Sequence, residues 1–159
     1  MAPATATIRS ATLRDIPDIV RLWEELMDFH RERDPFYTRA RNGSDLFRRY
    51  VEENVGNDAA CVLVALVENE IVGYCQGVID HHPSVLAEPD YGQVLDFMVT
   101  AGSRNTGIGS QMFEALRRWF QTEGIRRVEV RHSTVNDLAA RFWPKMGFKP
   151  YVRVLFMEL

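Results

Sequence analysis

The stretch Arg104-Asn105-Thr106-Gly107-Ile108-Gly109 lies between the apolar run 94–99 and the amphipathic run 110–121, and it is the most informative feature of the chain. It predicts a strand that turns into a helix through two closely spaced glycines. Because glycine has no Cβ, the backbone N–H groups of such a turn can converge on one point. The positive end of the helix dipole adds to the attraction for an anion, and Arg104 supplies a cation at its rim. We therefore expect a phosphate or pyrophosphate site here.

Two common phosphate-binding motifs fit this stretch poorly. The P-loop pattern would begin at Gly102, but Ile108 occupies the position of its lysine. The dinucleotide fingerprint would begin at Gly107, but Met112 occupies its third glycine position. A purely structural alternative stays open, because two glycines can also serve a tight turn and nothing else.

The turn instead resembles R/Q-x-x-G-x-G/A, the acyl-CoA pyrophosphate loop of the GCN5-related N-acetyltransferases (GNAT). A second block, residues 136–148, resembles the family pattern N-x-x-A-x-x-[FL]-Y-E-K-x-G-F. Six of its residues match the pattern, and tryptophan stands in place of the tyrosine at Trp143: Asn136, Ala139, Phe142, Lys145, Gly147 and Phe148. The resemblance runs from about residue 5 to residue 159, and the two blocks occur in the order that the family shows.

Length and composition are those of a single globular domain. The 159 residues are 46% hydrophobic and 26% charged, and we expect one domain over 1–159 with residues 1–6 disordered. The formal charge of −3 and the absence of long basic runs argue against nucleic acid as a partner. Cys61 and Cys75 lie in apolar runs and give no metal-binding spacing, so no metal is expected.

The start of the chain and its apolar runs bear on location. Residues 1–7 lack a signal-peptide pattern, and no apolar run approaches the length that spans a membrane. We expect a cytoplasmic protein without membrane association.

Hydrophobic periodicity predicts the order of the elements. A short strand at Ile8 precedes a helix ended by Asp34-Pro35, and Ser44 is expected to cap a second helix. The remaining predicted elements are a hairpin of strands 61–67 and 71–79, strand 94–99, helix 110–121, strand 127–132, helix 137–144 and a final strand 151–157. Hairpin strands followed by a β-α-β-α-β run predict an α/β fold with a mixed sheet and helices on both faces.

The resemblance implies the family's fold, a mixed and mostly antiparallel sheet whose fourth and fifth strands splay apart, and its co-substrate, acetyl-CoA. It implies that the backbone of Met98 and Val99 pairs with the pantetheine arm. It also implies that the turn of Arg104, Asn105, Thr106, Gly107, Ile108 and Gly109, continuing to Ser110, holds the pyrophosphate. From the second block, Asn136, Ala139, Trp143 and Lys145 are expected to contact coenzyme A.

Catalysis of acetyl transfer to an amine requires that the ammonium group, with a pKa of about 10.4, loses a proton. Asp96 is the first candidate base, because a carboxylate in an apolar strand must find a partner or have its pKa raised. It is equally open to a structural role. Many relatives carry a glutamate just before this aspartate, where this chain has Leu95. His132 is a second candidate, against the alternative of a rim histidine.

Trp143 replaces the family tyrosine whose hydroxyl can protonate the departing CoA sulfur. Indole N–H donates a hydrogen bond but is a poor acid, so packing against the CoA channel is the alternative role. The expected reaction is direct attack by a primary amine of a small molecule or peptide in a ternary complex. A non-catalytic acyl-CoA-binding or sensor domain is the alternative function. Dimers are common in this family, which leaves a homodimer open.

Overall fold

The computed structural model describes residues 5–159 and contains one sheet. Its five strands lie side by side in chain order: β1 (Thr7–Ser10), β2 (Ala60–Val67), β3 (Glu70–His81), β4 (Asp90–Val99) and β5 (Val128–Val130). The first three pairings are antiparallel, and β4 and β5 are parallel. The predicted mixed, mostly antiparallel sheet is therefore confirmed.

Four α-helices cover the two faces of the sheet. They are α1 (Ile16–Arg31), α2 (Gly43–Val55), α3 (Ile108–Thr122) and α4 (Asp137–Lys145). A hydrophobic core lies on each face of the sheet, and alternate residues of β2 contribute to one core or the other, because successive side chains of a strand point to opposite faces. Val62 and Val64 pack with α1 and α2, whereas Leu63 and Ala65 pack with α3 and α4.

A bulge in β4 decides which face its residues reach. Gln76 pairs with Asp96, but the next residue, Gly77, pairs with Val94, so Leu95 is the extra residue. A β-bulge bends its strand and redirects the side chains that follow. Consequently Asp96 and Met98 face α1 and α2, whereas Val94 belongs to the core under α3.

Two local predictions are wrong, and one predicted strand is shorter than expected. Residues 151–157 form no strand, because they pair with no strand among residues 5–159 and their large apolar side chains are exposed. The strand predicted over 127–132 is confined to Val128–Val130, where it can pair with β4. Ser44 does not cap α2, which begins at Gly43; its hydroxyl donates instead to Glu24 on α1. The prediction for residues 1–6 concerns mainly residues 1–4, which lie outside the described residues.

Candidate active site

The turn before α3 presents backbone N–H groups to solvent. Asn105 and Gly107 adopt left-handed backbone conformations, with φ of 61° and 89°. The Thr106 hydroxyl donates to the Ser103 carbonyl at 2.6 Å and braces the loop. No side chain caps α3, and the N–H groups of a helix's first turn have no intrahelical acceptor. The turn therefore offers uncompensated donors together with the positive end of a 15-residue helix.

Gly109 serves a different purpose from Gly107. A Cβ on Gly109 would lie 3.3 Å from a ring carbon of Phe142 on α4. The missing side chain thus allows α4 to pack closely against the first turn of α3. Gly107 supplies the backbone conformation, and Gly109 supplies the close approach of two helices.

Arg104 joins the turn to the end of β4. Its Nε donates to the Val99 carbonyl at 2.9 Å, and its guanidinium carbon lies 5.4 Å from the centre of the Phe29 ring. The expected cation is therefore present beside the turn, held by the last strand residue.

The C-terminal half of β4 has an open edge on the side of β5. Pairing between the two strands stops at Val94 and Val130. On the other edge, the N–H of Thr100 donates to the carbonyl oxygen of Val72 in β3. Backbone groups in an antiparallel pair alternate between the two edges.

This alternation corrects one predicted contact. It directs the groups of Met98 to β3, and those of Phe97 and Val99 to the open edge. The expectation for the Met98 backbone is therefore wrong, because β3 already uses it. Phe97 is the residue that shares the open edge with Val99.

Asp96 lies in a chain of buried side-chain amides. Gln76 Nε2 donates to Asp96 Oδ2 at 2.7 Å, and Asn54 Nδ2 donates to Gln76 Oε1 at 3.0 Å. Burial raises the pKa of Asp96 from 3.8 to about 6, although the hydrogen bond from Gln76 acts in the opposite direction. Next to it on the sheet, the Tyr74 hydroxyl is the one buried side-chain polar atom among residues 5–159 that lacks a hydrogen-bond partner. A carboxylate whose pKa is this close to neutrality can exchange protons.

His132 lies in the segment that follows β5 and is exposed. Its Nδ1 is 3.0 Å from the carbonyl oxygen of the adjacent Ser133. The structure thus gives it a backbone contact at the rim of the molecule.

Trp143 is buried in an aromatic cluster between α3 and α4. Its ring centre lies between 4.9 and 5.7 Å from four phenylalanine rings, all in edge-to-face orientation: Phe97, Phe113, Phe142 and Phe148. Edge-to-face contacts of this kind stabilise aromatic cores. The surroundings of Trp143 are those of a packing residue.

The second sequence block forms the start and end of α4. Asn136 is buried, and its Oδ1 accepts a hydrogen bond from the Ala139 N–H at 3.0 Å, as expected of a helix cap. At the other end, Lys145 lines a groove that continues from Ser110 at the N-terminus of α3. The groove thus connects the C-terminal end of α4 with the first turn of α3.

Several acidic residues of α1 and of the segment around the start of β4 lie within ion-pair distance of basic side chains. Glu24 and Asp28 each lie near Arg39, Glu25 near Arg21, Asp90 near His81 and Glu88 near Arg126. The arginine pairs reduce the negative charge that these carboxylates offer to a cationic amine.

Sequence reasoning missed three residues of this site. Gln76 and Asn54 form the amide chain behind Asp96, and Phe97 shares the open edge. Gln76 carried a readable signal, because an amide inside the apolar run 71–79 needs a partner as much as Asp96 does. Phe97 carried no such signal in the sequence, because the bulge that sets its orientation depends on the pairing of β4 with β3.

Among residues 5–159, no group of three or more His, Cys, Asp or Glu side chains could hold a metal ion, and no helix has the length and apolarity needed to cross a membrane.

Comparison with known proteins places this geometry in a family. Residues 19–148 match the model of the acetyltransferase (GNAT) family. A search of curated proteins finds no match.

Three solved structures share the fold at low identity. A tetramutant of a Bacillus halodurans protein has 22% identity and a TM-score of 0.85, covering 96% of this chain and 99% of its own. A predicted acetyltransferase from Clostridium acetobutylicum, solved with acetyl-CoA, has 18% identity and a TM-score of 0.78, with 97% and 96% covered. The aminoglycoside N-acetyltransferase AAC(6')-Iy in complex with CoA has 18% identity and a TM-score of 0.76, with 98% and 95% covered. The chain belongs to the GNAT family of acetyltransferases.

Proposed function

We propose that this N-acetyltransferase transfers the acetyl group of acetyl-CoA to a primary amine of a small molecule or peptide, by direct attack in a ternary complex. The observation that carries the proposal is the juxtaposition of three features: the uncapped N-terminus of α3, the open edge of β4, and Asp96 on that same strand. We further propose that residues 1–159 form one domain and that it acts in the cytoplasm.

The co-substrate would lie across the open edge of β4. In this proposal the N–H groups of the turn from Asn105 to Ser110 bind the pyrophosphate, because they combine free donors with the helix dipole. The outward backbone groups of Val99 and Phe97 pair with the pantetheine arm. In this proposal Trp143 packs behind the open edge of β4, and Asn136 and Ala139 contact CoA from α4. Lys145 lies where a further phosphate can bind.

Asp96 would accept the proton of the incoming amine. With a pKa of about 6, its carboxyl group is mostly ionised at neutral pH and still accepts a proton readily. The neutral amine attacks the thioester carbon and forms the C–N bond, the proton left on the nitrogen of this adduct passes to solvent, and the C–S bond breaks. Solvent then protonates the thiolate, since Trp143 is buried and indole is a poor acid.

The rate should depend on the protonation of Asp96. We expect kcat/KM to fall on the acid side with an apparent pKa near 6, because the carboxyl group must be ionised to act as a base. Gln76→Leu removes the hydrogen bond that lowers this pKa, so the apparent pKa on the acid side of the kcat/KM profile should rise by about one unit. The pH dependence of kcat/KM in both proteins measures this shift. The same apparent pKa in the two proteins would rule out this role of Asp96.

Trp143→Tyr should retain or raise turnover, because the tyrosine hydroxyl can donate the proton that indole does not. The smaller ring leaves a gap in the aromatic cluster, and the free energy of unfolding should fall by about 2 kcal/mol. Steady-state kinetics, CoA calorimetry and thermal melts measure the three effects. A collapse of kcat with unchanged CoA affinity would show instead that the indole itself is required.

The acceptor is identified by a thiol-release screen. The amines to be tested are polyamines, aminoglycosides, amino acids and peptide N-termini, with aminoglycosides included because AAC(6')-Iy and other structural relatives are named for them. Amine-dependent release of CoA thiol, together with acetylated product in mass spectrometry, supports the proposal. CoA binding in calorimetry without thiol release for any amine would favour a non-catalytic acyl-CoA-binding domain.

A further inference from the structure

Asn54 occupies a core-facing position of α2, where an apolar side chain would be expected. The buried side chains of this helix are Phe47, Val51 and Asn54, whose spacing places them on one face. Asn54 is only 7% exposed, and a buried amide costs free energy unless its polar atoms find partners. Packing alone therefore does not account for an asparagine here.

The partner of Asn54 is Gln76, the residue that donates to Asp96. Gln76 is fully buried in β3 and lies directly opposite Asp96 in the register of β3 and β4, so both side chains are on the same face of the sheet. Asn54 Nδ2 donates to Gln76 Oε1 at 3.0 Å, and Gln76 Nε2 donates to Asp96 Oδ2 at 2.7 Å. Both hydrogen bonds run in the same direction, from the helix towards the carboxylate.

The two ends of the Gln76 amide have nearly the same shape, so its neighbours decide which end faces Asp96. If the amide turned over, its carbonyl oxygen would accept a proton from the neutral carboxyl group but would repel the ionised one. The N–H of Asn54 opposes this inversion, because it would then face the NH2 group of Gln76. Among residues 5–159 no other side chain donates to Asp96, and the buried Tyr74 hydroxyl on the same face has no partner.

We propose that Asn54 is a positioning residue, which holds the Gln76 amide in the orientation that donates a hydrogen bond to Asp96. In the proposed function, on which this inference rests, the ionised carboxylate accepts the proton of the amine. Asn54 is itself held on α2, because its amide gives a further hydrogen bond to Tyr50, one turn earlier. This bond acts against burial, which raises the pKa of Tyr50. An inverted Asn54 would lose both hydrogen bonds that it donates.

Three titratable groups that interact with Asp96 stay neutral in the pH range of the test: Tyr50 on α2, and Tyr74 and Cys75 on β3. Burial raises the pKa of each of them above its ordinary value. The buried side chains of α1 are apolar, so they add no charge.

Two other titratable side chains belong to elements next to β4. His30 in the last turn of α1 has a pKa that burial and Arg33 lower, and Glu129 of β5 is paired with Arg127 at 2.7 Å. The pKa of Asp96 responds instead to burial and to the hydrogen bond from Gln76. We therefore expect a change at position 54 to reach Asp96 through Gln76.

Asn54→Leu tests the proposal in the full-length chain, because leucine fills the site without a donor. A carbon-13 NMR titration of the Asp96 carboxyl group, assigned with Asp96→Asn, measures its pKa without any acceptor amine. This pKa should rise by about half a unit, because the Gln76 amide can then turn over when the carboxyl group is protonated. Gln121→Leu, which replaces an exposed amide on α3, is the matched control and should leave the pKa of Asp96 unchanged.

A double-mutant cycle shows whether Asn54 acts through Gln76. Gln76→Leu alone should raise the pKa of Asp96 by about one unit, and the addition of Asn54→Leu should change it no further. The apparent pKa on the acid side of the kcat/KM profile should move by the same amounts. Far-ultraviolet circular dichroism checks folding, and Asn54→Met, with its flexible side chain, replaces Asn54→Leu if that variant does not fold.

Two outcomes would overturn the proposal. One is an unchanged pKa of Asp96 in the folded variant at position 54, and the other is a double variant in which the two single shifts add. If the NMR titration gives the expected shifts while the pH dependence of kcat/KM stays the same, the role of Asn54 is supported. That result would overturn instead the proposed role of Asp96 as the base.

Discussion

Asp96→Asn should lower kcat/KM by about 100-fold or more and at the same time make the protein more stable at neutral pH. Activity falls because the amide no longer accepts a proton from the amine. Stability rises because an ionised carboxylate is no longer held among buried amides. Asparagine keeps nearly the same volume, and its side-chain oxygen can still accept the hydrogen bond from Gln76.

The pH dependence of this stability effect follows from the raised pKa. The folded-state pKa of about 6 exceeds the reference value of 3.8, so the folded chain binds the proton more tightly than the unfolded chain. The wild type therefore loses stability as the pH rises from about 4 to about 6, and the variant does not. Thermal melts at both ends of this range should show the advantage of the variant at high pH and its disappearance at low pH.

Asp90→Asn is the matched control for Asp96→Asn. Asp90 begins the same strand, but it is exposed and paired with His81. The control should leave kcat/KM within about twofold of the wild type, as for most surface substitutions. Equal activity of Asp96→Asn and the control would remove the catalytic role of Asp96.

Gly107→Val should raise the dissociation constant of CoA by about 100-fold or more. A β-branched residue does not adopt a φ of 89° without strain, and its side chain would stand where the anion must approach the N–H groups. Isothermal titration calorimetry with CoA measures the loss directly and needs no acceptor amine.

Gly124→Val separates strain from binding. Gly124 has a φ of 75° with open space around its Cβ position, and it follows the opposite end of α3. Both substitutions should lower the melting temperature by similar amounts, whereas only Gly107→Val should weaken CoA binding. Comparable CoA affinities in the two variants would mean that the turn does not bind the pyrophosphate.

The sequence was sufficient where local pattern and tertiary structure agree. The amphipathic run 110–121 lies in α3, and the runs 61–67 and 71–79 lie in the hairpin of β2 and β3. The turn of this hairpin places Glu68 and Asn69 at positive φ. These elements follow from the short-range hydrophobic periodicity and the turn residues, both of which can be read from the sequence.

The sequence was insufficient where a distant partner decides the outcome. Residues 151–157 have the composition of a strand, yet they pair with no strand among residues 5–159. Ser44 is a good capping residue, but Glu24 of α1 takes its hydroxyl group. The outward edge of β4 belongs to Phe97 rather than Met98, because the bulge at Leu95 fixes the alternation.

The function of the site depends on the same long-range features. The bulge at Leu95 ends the pairing of β4 with β5 and also sends Asp96 towards the amides of α2 and β3. One irregularity in one strand thus lies where the open edge of β4 begins and sets the environment of the candidate base.

A crystal structure with bound CoA would be decisive for the proposed site. We expect the pyrophosphate to lie within hydrogen-bond distance of the backbone N–H groups between Asn105 and Ser110, and the pantetheine arm to pair with the outward groups of Val99. Density for CoA at another place on the molecule, or an empty turn at saturating CoA, would contradict it.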